Sequence, residues 1–410
     1  MECPLHLNDH PIVFLGGIFT PAQTDLIQDQ SKGVVQNAAD ALQKGLIGGI
    51  SAHRPSATVV NLPFVGSYPQ LFRRWHFPGT DETIGSGTQI WGESFVLIKG
   101  VKTISRLLSA TRGLFRHGQP NMVILIYSAH LPFMVAALAR KLFGRGVKIV
   151  QVLPDFPEFM GEGGMLYDIA KAVETRLFYR LSRHIDGFVL LTRFMADRLG
   201  IDGSRYVVVE GIAQAPEAAP RSDAGAIAVE PGTRAFLYTG TLAARYGVMD
   251  LVDAFRRVGD PSIRLWVCGE GDSRDRIVAA AQNDPRIRYF GQVSRHQARR
   301  LQELASVLVN PRTPEGEFTK YSFPSKTLEY MASGRPVLMH RLSGIPEEYE
   351  PYYFKPESTD VAGLTDAIQA LVLLDDAVLR ERGAAARDFV LNEKSAISQC
   401  KKIVEFIDSL

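Results

Sequence analysis

Short apolar runs alternate along this chain with segments of helical character. In the first half, the apolar runs predict strands over 11–15, 57–62, 122–127, 147–153, 187–191 and 206–210. Helices are predicted between them over 132–142, 168–182 and 193–199. Because strands that alternate with helices are typical of a parallel sheet, we expect an α/β domain here.

The same alternation restarts after residues 213–232, which are rich in Ala, Pro and Gly and lack a strong period. We interpret this segment as an interdomain connection. Beyond it, the pattern predicts strands over 234–238, 263–268, 287–290, 307–309 and 336–339, and helices over 248–258, 273–281, 294–305 and 325–333. Two α/β halves would form a cleft where the carboxyl ends of their strands face each other, which is where such sheets bind ligands.

The composition is that of a folded protein. Of 410 residues, 46% are hydrophobic and 22% are charged, which excludes an intrinsically disordered chain. Cys3, Cys268 and Cys400 are few and far apart, which indicates neither a disulfide framework nor a metal cluster and fits a reducing cytosol. No signal peptide is expected, and the apolar stretch 122–139 contains polar residues that favour a strand and helix over a membrane span.

The net charge of +2 conceals an uneven distribution. Residues 1–212 hold 21 basic and 17 acidic side chains, and the rest of the chain holds 25 and 27. The 61 residues 94–154 contain nine lysines and arginines and no carboxylate, and 95–115 have an amphipathic helical period. A helix packed on its own domain and a helix on an anionic lipid surface both fit this pattern. A nucleic-acid partner is not expected, because few aromatic residues are interleaved for base stacking.

The strongest chemical signal lies in 320–337, KYSFPSKTLEYMASGRPV. Ser325 begins a predicted helix and Lys326 lies in its first turn, where free N–H groups and the helix dipole favour a phosphate. Glu329 lies one turn further on the same face, where its carboxylate can accept hydrogen bonds from sugar or ribose hydroxyls. An ordinary helix start with a Lys–Glu surface pair gives the same pattern, so this segment alone does not distinguish a phosphate-binding site from such a helix start.

Two further segments favour the ligand-binding interpretation over the ordinary helix start. Residues 237–255, LYTGTLAARYGVMDLVDAF, predict a strand, a glycine loop and a helix, and 266–272, WVCGEGD, predict a strand that ends in a Gly-x-Gly turn. That turn lacks the third glycine of a dinucleotide fingerprint. Taken in order over about 234–339, the segments resemble glycosyltransferases with the GT-B fold, of the group 1 or retaining family 4 type, which use nucleotide-sugar donors.

The resemblance implies an α/β fold of two Rossmann-like domains that face a cleft. We expect an acceptor-binding domain over 1–212, a linker over 213–232 and a donor-binding domain over 233–390. A C-terminal helix, 391–410, would pack back on the first domain.

The resemblance also implies a role for each matching residue. The donor diphosphate would be bound by Arg245, Ser325, Lys326 and the early loop of Gly16 and Gly17. The nucleotide would be bound by Gly240, Gly269, Gly271, Phe290, Gly291, Val293 and Glu329. His130 and Glu329 are the predicted catalytic residues, with His130 near the donor sugar; a core histidine or one that begins a helix is the alternative for His130.

The sequence departs from the family at one position. Eight residues before Glu329, where the family has a first glutamate, this chain has Tyr321. Glu315 and Glu317 lie nearby and are alternative carboxylates. Since there is no Asp-x-Asp triplet and no His/Cys cluster with ligand spacing, we expect no metal and no cofactor beyond the nucleotide-diphosphate sugar.

The resemblance implies a retaining glycosyltransferase that acts on a glycan or polyprenyl-linked acceptor in bacterial surface polysaccharide synthesis. We expect it in the cytoplasm, at the inner face of the membrane. A non-catalytic nucleotide-sugar or glycan-binding protein and a nucleotide-sugar epimerase are the alternatives. The aromatic and basic segment 62–90 fits a lid, a lipid-facing loop or ordinary loop packing.

Overall fold

The computed structural model describes residues 10–33, 35–85, 87–159, 164–216 and 232–410. The chain divides into two compact units, Met1–Ile212 with Ala396–Leu410, and Ala213–Ser395. We call them the first unit and the second unit. Most of the predicted linker, 217–231, and Cys3 lie outside the described residues.

The first unit contains an eight-stranded sheet in the order β10-β9-β8-β7-β1-β2-β5-β4. The strands are β1 (Ile12–Gly16), β2 (Thr58–Asn61), β4 (Glu82–Ile84), β5 (Thr88–Gly92), β7 (Val123–Tyr127), β8 (Lys148–Leu153), β9 (Gly187–Leu190) and β10 (Tyr206–Val208). β4 runs antiparallel to β5 and the other neighbours are parallel. β3 (His76–Phe77) and β6 (Phe95–Val96) form a separate antiparallel pair.

Helices cover the first sheet in two groups. They are α1 (Pro21–Gln30), α2 (Asn37–His53), α3 (Val101–His117), α4 (Leu131–Phe143), α5 (Met165–Ser182), α6 (Phe194–Leu199) and α13 (Ala396–Ser409). α2 packs against α13, and α4 packs against both α3 and α5. Ile403 and Ile407 of α13 join the same core as Leu46 and Ile50 of α2, so the end of the chain contributes to the first unit.

The second unit contains a five-stranded parallel sheet in the order β13-β12-β11-β14-β15. The strands are β11 (Arg234–Thr239), β12 (Ile263–Cys268), β13 (Ile287–Tyr289), β14 (Val307–Asn310) and β15 (Val337–Met339). The helices are α7 (Val248–Arg257), α8 (Arg274–Asn283), α9 (Arg295–Leu304), α10 (Ser325–Ala332), α11 (Val361–Leu373) and α12 (Asp376–Glu393). Phe236, Leu265 and Phe255 lie in the core between sheet and helices.

The segment 95–115, predicted as one helix, is a strand followed by a helix. Phe95 lies in β6 with its ring stacked 5.4 Å from that of buried Phe77. The chain then turns at Gly100, whose φ of 89° suits glycine, and α3 begins at Val101. The prediction was wrong at 95–100 because helical apolar spacing does not reveal a turn of this kind.

The aromatic segment 62–90 is partly core. Phe72 and Phe77 are fully buried, whereas Trp75 is 58% exposed. Loop packing therefore accounts for part of this segment. Within the described part of the chain, no helix has the length and apolar character needed to cross a membrane.

Candidate functional site

A buried tyrosine anchors α10 to the end of β11. The Thr239 N–H donates to the Tyr330 hydroxyl at 2.8 Å, and that hydroxyl donates to the Thr239 carbonyl oxygen at 3.1 Å. Tyr330 is fully buried, and this burial raises the pKa of its hydroxyl. The hydroxyl therefore stays protonated and fixes the first turns of α10 beside the carboxyl end of the sheet.

Lys326 and Glu329 form a pair on the outer side of α10. The Lys326 Nζ lies 3.0 Å and 2.8 Å from the two carboxylate oxygens of Glu329. On α9, the buried Gln302 donates its Nε2 hydrogen to Glu329 Oε1 at 2.7 Å. The Glu329 side chain is 42% exposed and that of Lys326 33%, so a ligand can reach both.

The surroundings of Glu329 favour its ionised form. Burial by itself raises the pKa of this carboxyl, but the Lys326 charge and hydrogen bonds from Lys326 and Gln302 outweigh burial. The resulting pKa lies below the ordinary value for glutamate. Glu329 is therefore a carboxylate at neutral pH and accepts hydrogen bonds only.

The start of α10 is open to an anion. Pro324 stands at the N-cap and has no side-chain cap hydrogen bond among the described residues. Ser325 is the first helical residue and is exposed. The Thr327 N–H donates to the Pro324 carbonyl oxygen at 2.9 Å, which leaves the N–H groups of Ser325 and Lys326 at the positive end of the dipole for an anion.

The glycine loops after β11, β12 and β13 pack backbone to backbone. The Gly240 N–H donates to the Cys268 carbonyl at 3.0 Å, and the Gly269 N–H donates to the Gly291 carbonyl at 2.9 Å. Gly269 has a φ of 135°, and a Cβ there would lie 1.8 Å from the Gly240 oxygen. A Cβ on Gly271 would lie 2.5 Å from the Leu242 carbonyl carbon. These glycines are required for the loops to contact one another.

Phe290 and Val293 follow β13 and are partly exposed at the same end of the sheet. The Phe290 ring meets Trp266 edge-on, with centroids 6.0 Å apart. The Arg288 guanidinium carbon lies 4.5 Å from the centre of the Phe290 ring. The structure thus places Phe290, Gly291 and Val293 next to the loop that carries Gly269.

Arg245 lies in the short turn just before α7 and is exposed. Its guanidinium carbon is 5.3 Å from the Tyr246 ring centre and 6.0 Å from that of Phe318. Arg312 approaches the same two rings, at 5.6 Å and 4.6 Å. Two guanidinium groups therefore surround Phe318. The sequence prediction missed Arg312, although its position just after β14 was a usable signal.

Gln302 was also missed. It lies on a helix that approaches Glu329 only through the fold, and nothing in its neighbourhood along the chain marks it.

Tyr321, which replaces the expected first glutamate, contacts a nearby carboxylate. Its hydroxyl donates to Glu317 Oε1 at 3.2 Å. Of the two alternative carboxylates, Glu317 is therefore the one that lies beside the Tyr321 position.

The predicted glycine loop of the first unit is held by side chains. Gln43 Oε1 accepts from the Gly17 N–H at 2.8 Å. A Cβ on Gly17 would lie 2.3 Å from the Leu62 carbonyl oxygen, and one on Gly16 would lie 2.5 Å from Gln43 Oε1. Both glycines are buried, and the Gly17 N–H is already engaged in this arrangement.

His130 immediately precedes α4 and packs edge-on against two phenylalanines. Its ring centroid lies 5.6 Å from that of Phe64 and 4.5 Å from that of Phe133. Its Nδ1 atom is buried and has no hydrogen-bond partner among the described residues. Burial, then the charges of Arg106 and Lys102, lower the pKa of His130 well below its ordinary value, so the ring is neutral at pH 7.

His130 lines a cavity of about 450 Å³ at the carboxyl ends of β7 and β8. Arg106, only 1% exposed, also lines it and donates to the carbonyl oxygens of Leu62 and Pro63 at 2.9 Å and 2.8 Å. Lys102 donates to the Val65 carbonyl at 2.5 Å, and burial followed by the Arg106 charge lowers its pKa to about 8. Neither cation forms an ion pair with a carboxylate in the described part of the chain.

The predicted site residues therefore fall into separate groups. Gly16, Gly17 and His130 lie in the first unit, and the remaining residues lie in the second unit. Within the second unit, Lys326 contacts Glu329, and the glycine loops contact one another. Among the described residues, no group of three or more His, Cys, Asp or Glu is placed to hold a metal ion, and the expectation that none is needed stays a prediction.

Comparisons with known proteins agree with this fold. Residues 233–373 match a family model described as glycosyl transferases group 1. No curated protein matches the chain. Among solved structures, HepE of Anabaena, crystallised with UDP, is 13% identical with a TM-score of 0.60, over 98% of this chain and all of that one.

Two other solved structures are similar over nearly the whole chain. The lipopolysaccharide outer core galactosyltransferase WaaB is 15% identical with a TM-score of 0.61, over 97% of this chain and 99% of that one. Sucrose-phosphate synthase from Thermosynechococcus elongatus is 14% identical with a TM-score of 0.64, over 97% of this chain and 98% of that one. The predicted α/β fold with two Rossmann-like domains is confirmed. The chain thus has the GT-B fold of two Rossmann-like domains, and its residues 233–373 match the model of the group 1 glycosyl transferases.

Proposed function

We propose that this protein moves a sugar from a nucleotide-diphosphate sugar to a glycan or polyprenyl-linked acceptor, with retention of the anomeric configuration. The observation that carries the proposal is the Lys326–Glu329 pair at the uncapped start of α10, inside the region that matches the family. HepE of Anabaena has been crystallised with UDP-glucose, which supports a nucleotide-sugar donor. Retention rests on the resemblance to retaining family 4 enzymes. We place the reaction in the cytoplasm, in synthesis of bacterial surface polysaccharide.

In this proposal the donor diphosphate binds at the start of α10. The N–H groups of Ser325 and Lys326 point to it, and the Lys326 ammonium and the Arg245 guanidinium add full charges. Glu329 leaves Lys326 to accept hydrogen bonds from the ribose hydroxyls. Phe290 and Val293, with the loop glycines Gly240, Gly269 and Gly291, surround the base. Lys326 and Glu329 therefore contact each other when no donor is bound. When the donor binds, Lys326 contacts its diphosphate and Glu329 contacts its ribose.

The transfer breaks the bond between the anomeric carbon and the diphosphate oxygen. The acceptor hydroxyl oxygen attacks the same face of that carbon, and its proton passes to the leaving phosphate oxygen. Negative charge grows on the diphosphate as the bond breaks, so the fixed cations and N–H groups stabilise the transition state more than the ground state. In this proposal His130 acts as a neutral hydrogen-bonding group and not as a charge, because its ring is neutral at pH 7.

We infer that the acceptor enters the cavity of the first unit. Lys102 and Arg106 line this cavity and form no ion pair with a carboxylate among the described residues, although Asp155 and Glu174 belong to the same lining; burial lowers the pKa of both cations. Both cations donate to backbone carbonyl oxygens, which satisfies hydrogen bonds but leaves the positive charges unpaired, and an anionic ligand group would offset those charges. The cavity walls also include Ile27, Val65 and Leu71. An acceptor with a phosphate next to an apolar chain suits this lining, and a polyprenyl phosphate has that chemistry.

The proposal is tested by following donor turnover and the anomer formed by NMR, with a panel of nucleotide sugars. We expect one donor to be hydrolysed slowly or transferred, with the anomeric configuration of the donor kept in the first product. The Glu329→Ala variant should lose donor affinity while its unfolding transition stays cooperative. An inverted first product would contradict the retaining proposal. Binding without turnover across all donors and acceptors would instead support the non-catalytic alternative.

A further inference from the structure

The apolar face of α3 is turned away from the protein. Ile104 is 60% exposed, Leu108 65% and Phe115 46%. On the opposite side of the helix, Arg106 is fully buried among the rings of Phe64, Phe95 and Phe133. The helix therefore buries Arg106 together with Leu114 and exposes Ile104 and Leu108, whereas an ordinary surface helix exposes its arginines and buries its leucines and isoleucines.

The exposed apolar surface continues onto α4. Leu142 and Phe143, at the end of α4, are 77% and 75% exposed. The Arg140 guanidinium lies 5.5 Å from the centre of the Phe115 ring, which places the C-terminal ends of α3 and α4 side by side. We call the set Ile104, Leu108, Phe115, Leu142 and Phe143 the docking face.

The next helix, α5, packs against α4 and also exposes apolar side chains. Ile169 and Val173 are each 57% exposed, and Leu177 is 40% exposed. Their spacing of four residues places them on one side of α5. Single exposed apolar residues are normal in proteins, but a run across three neighbouring helices indicates a binding surface.

Basic side chains surround the docking face. Lys99, Arg116 and Arg145 are exposed, and the Arg112 side chain is 61% exposed although it also pairs with buried Glu93 at 2.6 Å. The 61 residues 94–154, which carry the docking face, contain no carboxylate. The acidic residues of α5 are Asp168 and Glu174, and Glu174 pairs with Lys171 at 3.0 Å.

We propose that the docking face binds the surface of a bilayer that contains anionic lipids. The apolar side chains enter the interface, and the surrounding lysines and arginines contact the lipid headgroups. A second copy of this chain fits less well, because a two-fold contact through this face would oppose the same basic residues. The inference deepens the proposed function by naming the surface on which the enzyme meets a lipid-linked acceptor. It does not depend on the assignment of the donor residues.

The test is cosedimentation of the purified full chain with vesicles of phosphatidylcholine alone and of phosphatidylcholine with phosphatidylglycerol. We expect binding to the anionic vesicles, weaker binding at high salt, and little binding to the zwitterionic ones. The double variant Leu108→Glu with Phe143→Glu should lose about tenfold or more of this binding. The matched control is Leu373→Glu, which changes an 85% exposed leucine in the second unit and should bind like the wild type.

A second variant separates charge from apolar contact. Arg116→Glu with Arg145→Glu should also weaken binding to anionic vesicles, while nucleotide binding in all these variants stays at the wild-type level. Equal binding by the wild type and the Leu108/Phe143 variant would overturn the proposal. So would a wild-type dimer that ignores vesicles and becomes monomeric in that variant, because a second copy would then cover the face.

Discussion

At the residue scale, the candidate donor site depends on a few side chains whose neighbours set their state. Glu329 is ionised because Lys326 and Gln302 outweigh its burial. His130 is neutral because burial and two nearby cations disfavour its charged form. Burial and neighbouring charges thus leave Glu329 as a carboxylate that accepts hydrogen bonds and His130 as an imidazole that carries no charge.

Replacing Gln302 by Ala should raise the pKa of Glu329, because one hydrogen bond to the carboxylate is lost. A group whose pKa is lowered on folding contributes stability above its unfolded pKa, near 4.3 for glutamate, and that contribution is lost as the pH falls through the folded value. NMR titration of the Glu329 carboxyl carbon measures the shift. An unchanged titration in the variant would show that Gln302 does not stabilise the carboxylate.

Replacing Gly269 by Ala should destabilise the second unit by about 1–3 kcal/mol or more, because the position combines a positive φ with a backbone contact. Gly259→Ala is the matched control, since a Cβ there meets nothing within 4 Å. Urea unfolding should show a clear loss for the first variant and a change within about 0.5 kcal/mol for the second. Equal stability of the two variants would contradict the tight loop packing.

At the element scale, α10 is placed by its buried tyrosine. The Tyr330→Phe variant leaves the Thr239 N–H without its hydroxyl acceptor in the interior, which costs about 1–3 kcal/mol. Because α10 also carries Lys326 and Glu329, we expect weaker nucleotide binding as well. The control is Tyr321→Phe, at a partly exposed position, which should change the unfolding free energy much less. A neutral Tyr330→Phe variant would show that packing alone holds α10.

The sequence predicted the central strands to within one or two residues for a physical reason. Strands β1 and β7 are buried on both faces, so they appear as unbroken apolar runs. Helices α1 and α2 were not predicted. The error over 95–100 arose because Phe95 belongs to a two-residue strand that is stabilised by distant His76–Phe77.

The candidate site was predictable only where its residues lie on one local segment. Lys326 and Glu329 are three residues apart on one helix face, and the structure brings them into contact. Gln302 reaches Glu329 by tertiary packing between α9 and α10, which local spacing does not encode. For α3, periodicity identified an apolar face but not its direction, because the buried side of the helix is set by Arg106 and its three aromatic neighbours.

At the scale of the whole molecule, the chain is two units with opposite net charge, and its last helix returns to the first unit. Ile403 of α13 is fully buried against α2. The first unit therefore depends on residues at both ends of the chain.

Replacing Ile403 by Ala should cost about 2–5 kcal/mol in the first unit. Hydrogen exchange should show lost protection in α2 and β1, with the strands of the second unit unaffected. The control is Ile397→Ala on the same helix, where the side chain is 61% exposed and a near-neutral effect is expected. Lost protection in the second unit instead would contradict the division into two units.

The central claim is that the donor nucleotide binds at the start of α10. Calorimetric titration of UDP and UDP-glucose into the wild type, Lys326→Ala and Lys355→Ala tests it most directly. Lys355 pairs with Glu350 at 3.0 Å elsewhere in the second unit, so its variant removes a similar ion pair away from the site. The account predicts that Lys326→Ala weakens binding at least about tenfold, corresponding to about 1.4 kcal/mol, and that Lys355→Ala binds like the wild type. Equal affinity in the wild type and Lys326→Ala would contradict the account.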